Sequence, residues 1–184
     1  MKRALDVVLS LFALILLSPV LLAAAAAVAL ESGRPVLFRQ NRVGLGGREF
    51  RMYKFRSMVK NAAGIGPYHT ATADPRITSV GAFLRRTSVD ELPQLLNVLK
   101  GDMSLVGPRP DVPAQRSLYS KRDWAQRCSV RPGITGLAQA LLRSEATPEQ
   151  RLSLDLRYAR ERSFSLDLKI LWWTLCRLSG KGSN

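Results

Sequence analysis

Residues 7–30 read VVLSLFALILLSPVLLAAAAAVAL, apolar throughout except for Ser10, Ser18 and Pro19. As one helix this run would rise about 36 Å, enough to cross a hydrocarbon core roughly 30 Å thick. Pro19 removes an internal backbone hydrogen bond and drives its ring into the preceding turn, so a break is expected at Ser18-Pro19. Lys2 and Arg3 precede the run, while Arg34, Arg39 and Arg42 follow it. Positive charge is retained on the cytoplasmic side of a membrane, and here both flanks carry it. A re-entrant helix–break–helix hairpin over residues 1–31, entering and leaving one leaflet, satisfies both flanks, whereas a single span must export one. A cleaved signal peptide fits less well. The apolar run is longer than the usual signal core, and the chain beyond it is too basic for an exported, disulfide-built domain. Asp6 is expected to stay hydrated at headgroup depth or to pair with Arg3.

Working outward, 184 residues leave room beyond the hairpin for a single domain over 32–184. Cys128 and Cys176 lie far apart, and His69 is the sole histidine. Neither a metal-ligand spacing nor His-based acid–base or Ser-His-Asp chemistry is offered. The net charge of +14 requires an anionic partner: nucleic acid, an acidic lipid surface, or phosphorylated substrates. Eight cations, Arg34, Arg39, Arg42, Arg48, Arg51, Lys54, Arg56 and Lys60, follow the hairpin against two acids, Glu31 and Glu49. Beside anionic membrane lipids each contributes about 1 kcal/mol. No nucleic-acid-binding motif accompanies them, so nucleic acid is not the expected partner.

Residues 35–42 and 49–58 have strand character around a glycine-rich turn at 44–47 and predict a β-hairpin. Alternation puts Lys54 and Arg56 on one face of the second strand, either as a paired cationic site or as a solvated edge. Residues 60–80 read as a long surface loop of the kind that forms lids and binding loops. Leu92, Leu95, Leu96 and Leu99 mark an apolar helical stripe, facing either core or lipid. Thr147-Pro148-Glu149-Gln150 is a capping box with proline at the first helical position. Residues 166–178, with Trp172-Trp173, Lys169 and Arg177, suit an amphipathic interfacial helix, with a core helix as the alternative.

Chemistry concentrates in Arg85-Arg86-Thr87-Ser88-Val89-Asp90-Glu91-Leu92-Pro93-Gln94. Ser88 and Glu91 fit a second capping box, although Pro93 would then sit inside the helix. Alternatively, two adjacent acids behind two arginines make a phosphoryl-transfer site: a carboxylate nucleophile, a second acid for Mg²⁺ or hydrogen bonding, and cations for phosphate oxygens. Arg109 stands between Pro108 and Pro110, presented from a stiff loop suited to bidentate phosphate binding, or in a plain proline turn. The run Arg131-Pro132-Gly133-Ile134-Thr135-Gly136 has the composition of an anion-binding backbone nest with Arg131 at its edge. Asp155 follows Arg151 by one turn on the capped helix, as a surface ion pair would.

Together these residues resemble the bacterial sugar transferases, the small monotopic phosphoglycosyl transferases. The likeness runs in order through Ser18-Pro19, Lys54-Phe55-Arg56-Ser57-Met58, the block at 85–94, Gly101-Asp102-Met103-Ser104-Leu105-Val106-Gly107-Pro108-Arg109-Pro110, and 131–136. It implies the minimal form of the family, without the additional N-terminal multi-span region of longer members. It implies transfer of a sugar-1-phosphate from a UDP-sugar to polyprenol (undecaprenyl) phosphate with release of UMP, as the first membrane step of a glycoconjugate pathway. Asp90 would be the nucleophile of a covalent phosphosugar-aspartyl intermediate. Asp90 and Glu91 would serve Mg²⁺, and Lys54, Arg85, Arg109 and Asp155 fall on positions of the family's functional set; Arg56, beside Lys54 on its strand, and Arg131, at the edge of the nest, join them as candidates for the nucleotide and phosphates. The implied setting is the cytoplasmic face of the bacterial inner membrane, with a homodimer as a possible state. The fold expected is α+β and mainly helical, with the re-entrant helix broken at Ser18-Pro19, a small β-hairpin and interfacial helices. The competing reading is a non-catalytic basic membrane scaffold or tethered nucleic-acid binder, in which Asp90 and Glu91 are only helix caps.

Overall fold

The computed structural model describes residues 2–65, 74–142 and 147–178. Helices α1 (Lys2–Leu16) and α2 (Ser18–Ser32) meet at a 63° bend beside Pro19. Pro19 has no N–H for the Ile15 carbonyl one turn back, and the Ser18 hydroxyl donates to that oxygen instead, at 2.8 Å. No single helix among the described residues is long and apolar enough to cross a membrane, although the bent pair together has the length and composition. Both feet of the pair rest on the same globular body. Arg3 donates to the carbonyls of Val98 and Leu99 (2.6 and 3.0 Å), and Lys2 pairs with Asp167. Asp6, rather than lying at an exposed surface or pairing with Arg3, is buried and accepts the Leu105 N–H at 3.2 Å. At the far foot, Arg56 donates to the carbonyls of Ser32, Gly33 and Pro35. Around the bend Phe12, Ile15, Leu16 and Leu22 are each more than 60% exposed.

Strands β1 (Leu37–Val43) and β2 (Glu49–Phe55) form the expected antiparallel hairpin, with Leu37 opposite Phe55 and Val43 opposite Glu49. The second strand stops at Phe55 rather than at residue 58, because the Arg56 side chain turns back to the C-terminus of α2. A two-stranded sheet leaves the outer edge of β2 unpaired. Asn97, fully buried, supplies what a third strand would: its Oδ1 accepts from Tyr53 N at 3.0 Å and its Nδ2 donates to Arg51 O at 2.7 Å.

The expected loop at 60–80 is partly ordered by α3 (Ala62–Ile65), a Met58–Ile77 bridge and a buried Asp74–Arg76 ion pair of 2.7 Å. Its centre, including His69, lies outside the described residues. Helix α4 (Ser79–Arg86) is capped by Thr78, whose hydroxyl accepts from Gly81 N. Gly81 packs on the Ser57 backbone, where an added Cβ would lie 2.1 Å from Ser57 O. In α5 (Gln94–Lys100) the buried face is Gln94, Leu95, Asn97 and Val98, while Leu96 is exposed and Leu92 and Leu99 half-buried. The leucine stripe therefore does not mark the core side, because the edge of β2 draws the Asn97 amide inward.

Strand β3 (Ser104–Val106) precedes α6 (Lys121–Arg127) and pairs in parallel with β4 (Gly133–Thr135). Helix α7 (Leu137–Leu141) leads to α8 (Pro148–Glu161), where the Thr147/Gln150 capping box forms as expected (3.2 and 3.0 Å). The chain's last described element is α9 (Phe164–Leu178). Val106, Val130, Leu137, Tyr158 and Ile170 form one core cluster, with Trp173 against it; Ala24, Val28, Phe55 and Leu84 form another. Along α9, Phe164, Leu168, Trp172 and Leu175 form an exposed apolar stripe. One indole is presented outward rather than both. The fold is thus mainly helical with a small antiparallel sheet, plus a parallel pair that local sequence does not predict.

Candidate active site

Four segments converge on Asp90 and Glu91. After α4, Ser88 adopts a left-handed conformation (φ 58°) and its side chain caps nothing. The second capping box therefore does not form. A 3-10 turn, Val89–Glu91, carries both acids, and Pro93 sits at the N-cap of α5, where its missing N–H is not needed. This arrangement removes the conflict that Pro93 posed for a continuous helix.

The strand β2 delivers Lys54, whose Nζ lies 2.6 Å from Glu91 Oε1. The loop after β3 delivers Arg109, whose Nη2 donates to the same oxygen at 2.9 Å. Glu91 thus holds two cations on one oxygen, and Oε2 accepts no hydrogen bond from the described residues. Burial alone would raise the Glu91 carboxyl, but Arg109 and Lys54 overrule it and hold it at about 2. Burial lowers the Lys54 ammonium more than the Glu91 carboxylate raises it. Arg85, in the last turn of α4, donates its Nε to Ser57 Oγ at 2.8 Å.

Asp90 is only 7% exposed, yet no side chain among the described residues hydrogen-bonds its carboxylate. Burial pushes its pKa above the ordinary carboxylate range, against the pull of Lys54, Arg85 and Arg109. Buried carboxylates are normally paired. An unpaired one facing three cations has its oxygens free for a reacting partner or a cation. Mg²⁺ characteristically takes one or two carboxylates, waters and substrate phosphates. Asp90 and Glu91 are the two carboxylates here that would serve such an ion, with no group of three or more His, Cys, Asp or Glu side chains placed to hold a metal among the described residues.

The loop carrying Arg109 is fixed almost wholly through its backbone. Gly107 N donates to Thr135 O, Pro108 O accepts from Gly133 N (2.9 Å each), and Pro110 O accepts from Arg42 Nη1 at 2.8 Å. Arg109 O accepts from Arg127 Nη2 at 2.6 Å. The glycines at 133 and 136 serve this approach and make no anion nest: a Cβ on Gly133 would lie 2.1 Å from Gly107 N, and Gly133 N is already occupied. Beneath the loop Arg127 pairs with Asp111 at 2.5 Å and with Asp155 at 2.9 Å, all three being buried. Asp155 accordingly hydrogen-bonds Arg127 on α6, and Arg151 adds only a lesser electrostatic pull. Burial pushes its carboxyl up to about 6, since one guanidinium serves two acids.

Of the residues marked in the sequence, the structure brings together Lys54, Asp90, Glu91 and Arg109, with Arg85 close enough to bias Asp90. Arg56 is not among them, being buried at the end of α2. Arg131 donates to Gly101 O at 2.9 Å and lines a separate cavity with Gly44, Arg48 and Asp102. Asp155 acts from below through Arg127. Sequence reasoning did not single out Ser57, Asp111 or Arg127. Asp111 alone left a signal, an acid directly after the Arg109 prolines.

The family model for bacterial sugar transferases matches residues 1–181. The chain is 48% identical over 181 residues to a UDP-glucose:undecaprenyl-phosphate glucose-1-phosphate transferase of Caulobacter vibrioides, covering 95% of this chain and 68% of that protein. It is 45% identical to the exopolysaccharide production protein PSS of Rhizobium leguminosarum bv. phaseoli, covering 95% and 93%. It is 42% identical to a UDP-N-acetylgalactosamine-undecaprenyl-phosphate N-acetylgalactosaminephosphotransferase of Aeromonas hydrophila, of which it spans 42%.

Proposed function

The chain belongs to the bacterial sugar transferase family and is a transferase, and from that premise we propose that it moves a sugar-1-phosphate from a UDP-sugar to undecaprenyl phosphate through Asp90. The observation that carries this is a buried carboxylate with no side-chain hydrogen-bond partner among the described residues, beside an acid that already holds two cations.

In the first half-reaction an Asp90 carboxylate oxygen attacks the β-phosphorus of the UDP-sugar. The bond from that phosphorus to the bridging oxygen breaks and its electrons leave with UMP. The sugar phosphate remains as an acyl phosphate on Asp90. In the second, an oxygen of polyprenol phosphate attacks the same phosphorus and Asp90 regains its carboxylate. Burial of Asp90 raises the basicity of the attacking carboxylate. Lys54, Arg85 and Arg109 offset the charge of the diphosphate. A bound Mg²⁺, held by Asp90 and Glu91, would supply further charge neutralisation at the phosphate oxygens. Arg109, with half of its side chain exposed, is the more accessible of the two cations on Glu91 and the one we assign to an incoming phosphate.

Because the two feet of the α1–α2 pair rest on one body, and its exposed apolar residues cluster around the bend, we read the pair as a re-entrant hairpin. The stripe on α9 is read as lying at the interface, where an outward Trp172 suits headgroup depth. With cations on both flanks of the hairpin, we propose that the site lies at the cytoplasmic face of the inner membrane.

Enzyme with UDP-glucose or UDP-N-acetylgalactosamine, without acceptor, is expected to release a stoichiometric burst of UMP and to gain the mass of one sugar phosphate on Asp90. Asp90→Asn abolishes both, and Glu91→Gln leaves a slow residue of each. Failure of labelled UMP to exchange into the UDP-sugar without acceptor would establish direct transfer and remove Asp90 as nucleophile.

A further inference from the structure

Strands β1 and β2 and helix α5 enclose a groove of about 420 Å³ lined by Leu37, Arg39, Tyr53, Leu96, Leu99 and Lys100. Adjacent strand residues point to opposite faces. Lys54 reaches Glu91, so Tyr53 faces away from the acids, and the groove lies behind β2 relative to the active site. Two cations converge on the Tyr53 ring. Lys100 Nζ is 4.5 Å from its centroid and donates to its hydroxyl at 2.6 Å, and the Arg39 guanidinium lies 5.7 Å from the same centroid. None of the six lining residues is acidic, and Leu37, Leu96 and Leu99 give the groove an apolar floor.

The walls belong to the elements on which the hairpin stands. Arg3 of α1 donates to Leu99 O, and Leu37 packs on the cluster containing Ala24 and Val28 of α2. With the hairpin seated in a bilayer, the groove opens at headgroup depth beside both feet. We propose that it binds an anionic membrane phospholipid, the phosphate between Arg39 and Lys100 and the first acyl carbons over the leucines. A phospholipid fits better than the polyprenol phosphate acceptor, because a phosphate held behind β2 faces away from Asp90. The proposal rests on the membrane seating of the protein given above, not on the chemistry of its site.

Full-length protein in mild detergent is titrated with phosphatidylglycerol, phosphatidylcholine and undecaprenyl phosphate, and adducts are counted by native mass spectrometry. Wild type retains one phosphatidylglycerol and no phosphatidylcholine. The Arg39→Gln/Lys100→Gln variant loses that adduct at least tenfold, while Lys121→Gln/Arg122→Gln, which removes the same charge elsewhere, keeps it. Equal retention by the first variant and wild type overturns the site. Retention of undecaprenyl phosphate in place of phosphatidylglycerol, lost with the same pair, overturns the assigned occupant. Flotation of wild type with neutral vesicles reads the membrane seating separately. If it does not float, both the seating and the groove's lipid fall. If it floats and the variants bind phosphatidylglycerol alike, only the groove falls.

Discussion

Replacing Asp155 by asparagine removes a charge while keeping its shape. Asp155 and Asp111 share one guanidinium, and burial lifts the Asp155 carboxyl from 3.8 to about 6. The folded state then binds this proton more tightly than the unfolded state. The associated stability is complete below about pH 4, falls as pH rises toward 6, and is flat above. At about 1.36 kcal/mol per pKa unit the gap corresponds to ~3 kcal/mol. For a chain of this size that is roughly 6–12 °C in Tm. Thermal unfolding of wild type and Asp155→Asn, followed by tryptophan fluorescence in detergent between pH 4 and pH 7.5, isolates the effect as a difference in which other carboxylates cancel. The asparagine variant should gain on wild type by that amount between pH 4 and pH 6.5. A difference constant within about 2 °C across the range would mean that Arg127's charge, rather than burial, governs Asp155. Arg127→Met leaves two buried acids uncompensated and should cost about 3–5 kcal/mol at pH 7.5. Adding Asp111→Asn and Asp155→Asn should restore most of it.

Arg109→Ala, folded as wild type, should lower kcat/KM about 30- to 1000-fold, with Arg109→Lys recovering only part because an ammonium cannot reproduce the planar fork; near-wild-type turnover in a UMP-release assay would remove Arg109 from phosphate binding. Glu91, held at about 2 from an ordinary 4.5, contributes about 3 kcal/mol that is present above pH 4.5 and lost as pH falls toward 2. Glu91→Gln should flatten that acid limb in an equilibrium unfolding titration, and an unchanged limb would contradict the Lys54–Glu91–Arg109 network. Gly133→Ala places a Cβ 2.1 Å from Gly107 N and should destabilise by about 3 kcal/mol or more, visible as a lowered denaturant midpoint.

Local features were legible from local sequence. The Ser18-Pro19 break, the β1–β2 hairpin and the Thr147 cap each depend on residues within one turn or one hairpin, so their chemistry is written contiguously. The acid pair and its cations were also legible, because Lys54, Asp90, Glu91 and Arg109 sit in distinctive runs. What failed depends on tertiary placement. Arg127 and Asp155 lie 28 positions apart, and nothing near Arg127 distinguishes it from an ordinary cation in a last helical turn. Gly133 and Gly136 look like a nest until the chain at 107 is seen to press against them. Arg56 alternates correctly with Lys54, but its strand ends one residue too soon. Asn97 is drawn inward past the leucines by an open strand edge that no helical periodicity reveals.

The seating of α1 on α5 makes the hairpin something other than a tether. Arg3 grips the carbonyls at the end of a helix that begins three residues after Glu91, and no flexible linker separates the two. On the re-entrant seating proposed above, insertion depth and the height of Asp90 above the bilayer are a single quantity. A polyprenol phosphate carries its reactive oxygen at a fixed level, set by where its chain leaves the hydrocarbon. Lengthening or shortening the apolar arms by one helical turn, about 5.4 Å, would shift the carboxylate off that level while leaving every contact in the site intact. On that seating the hairpin would work as a ruler, and the register between ruler and lipid would be a property that selection can act on separately from the chemistry.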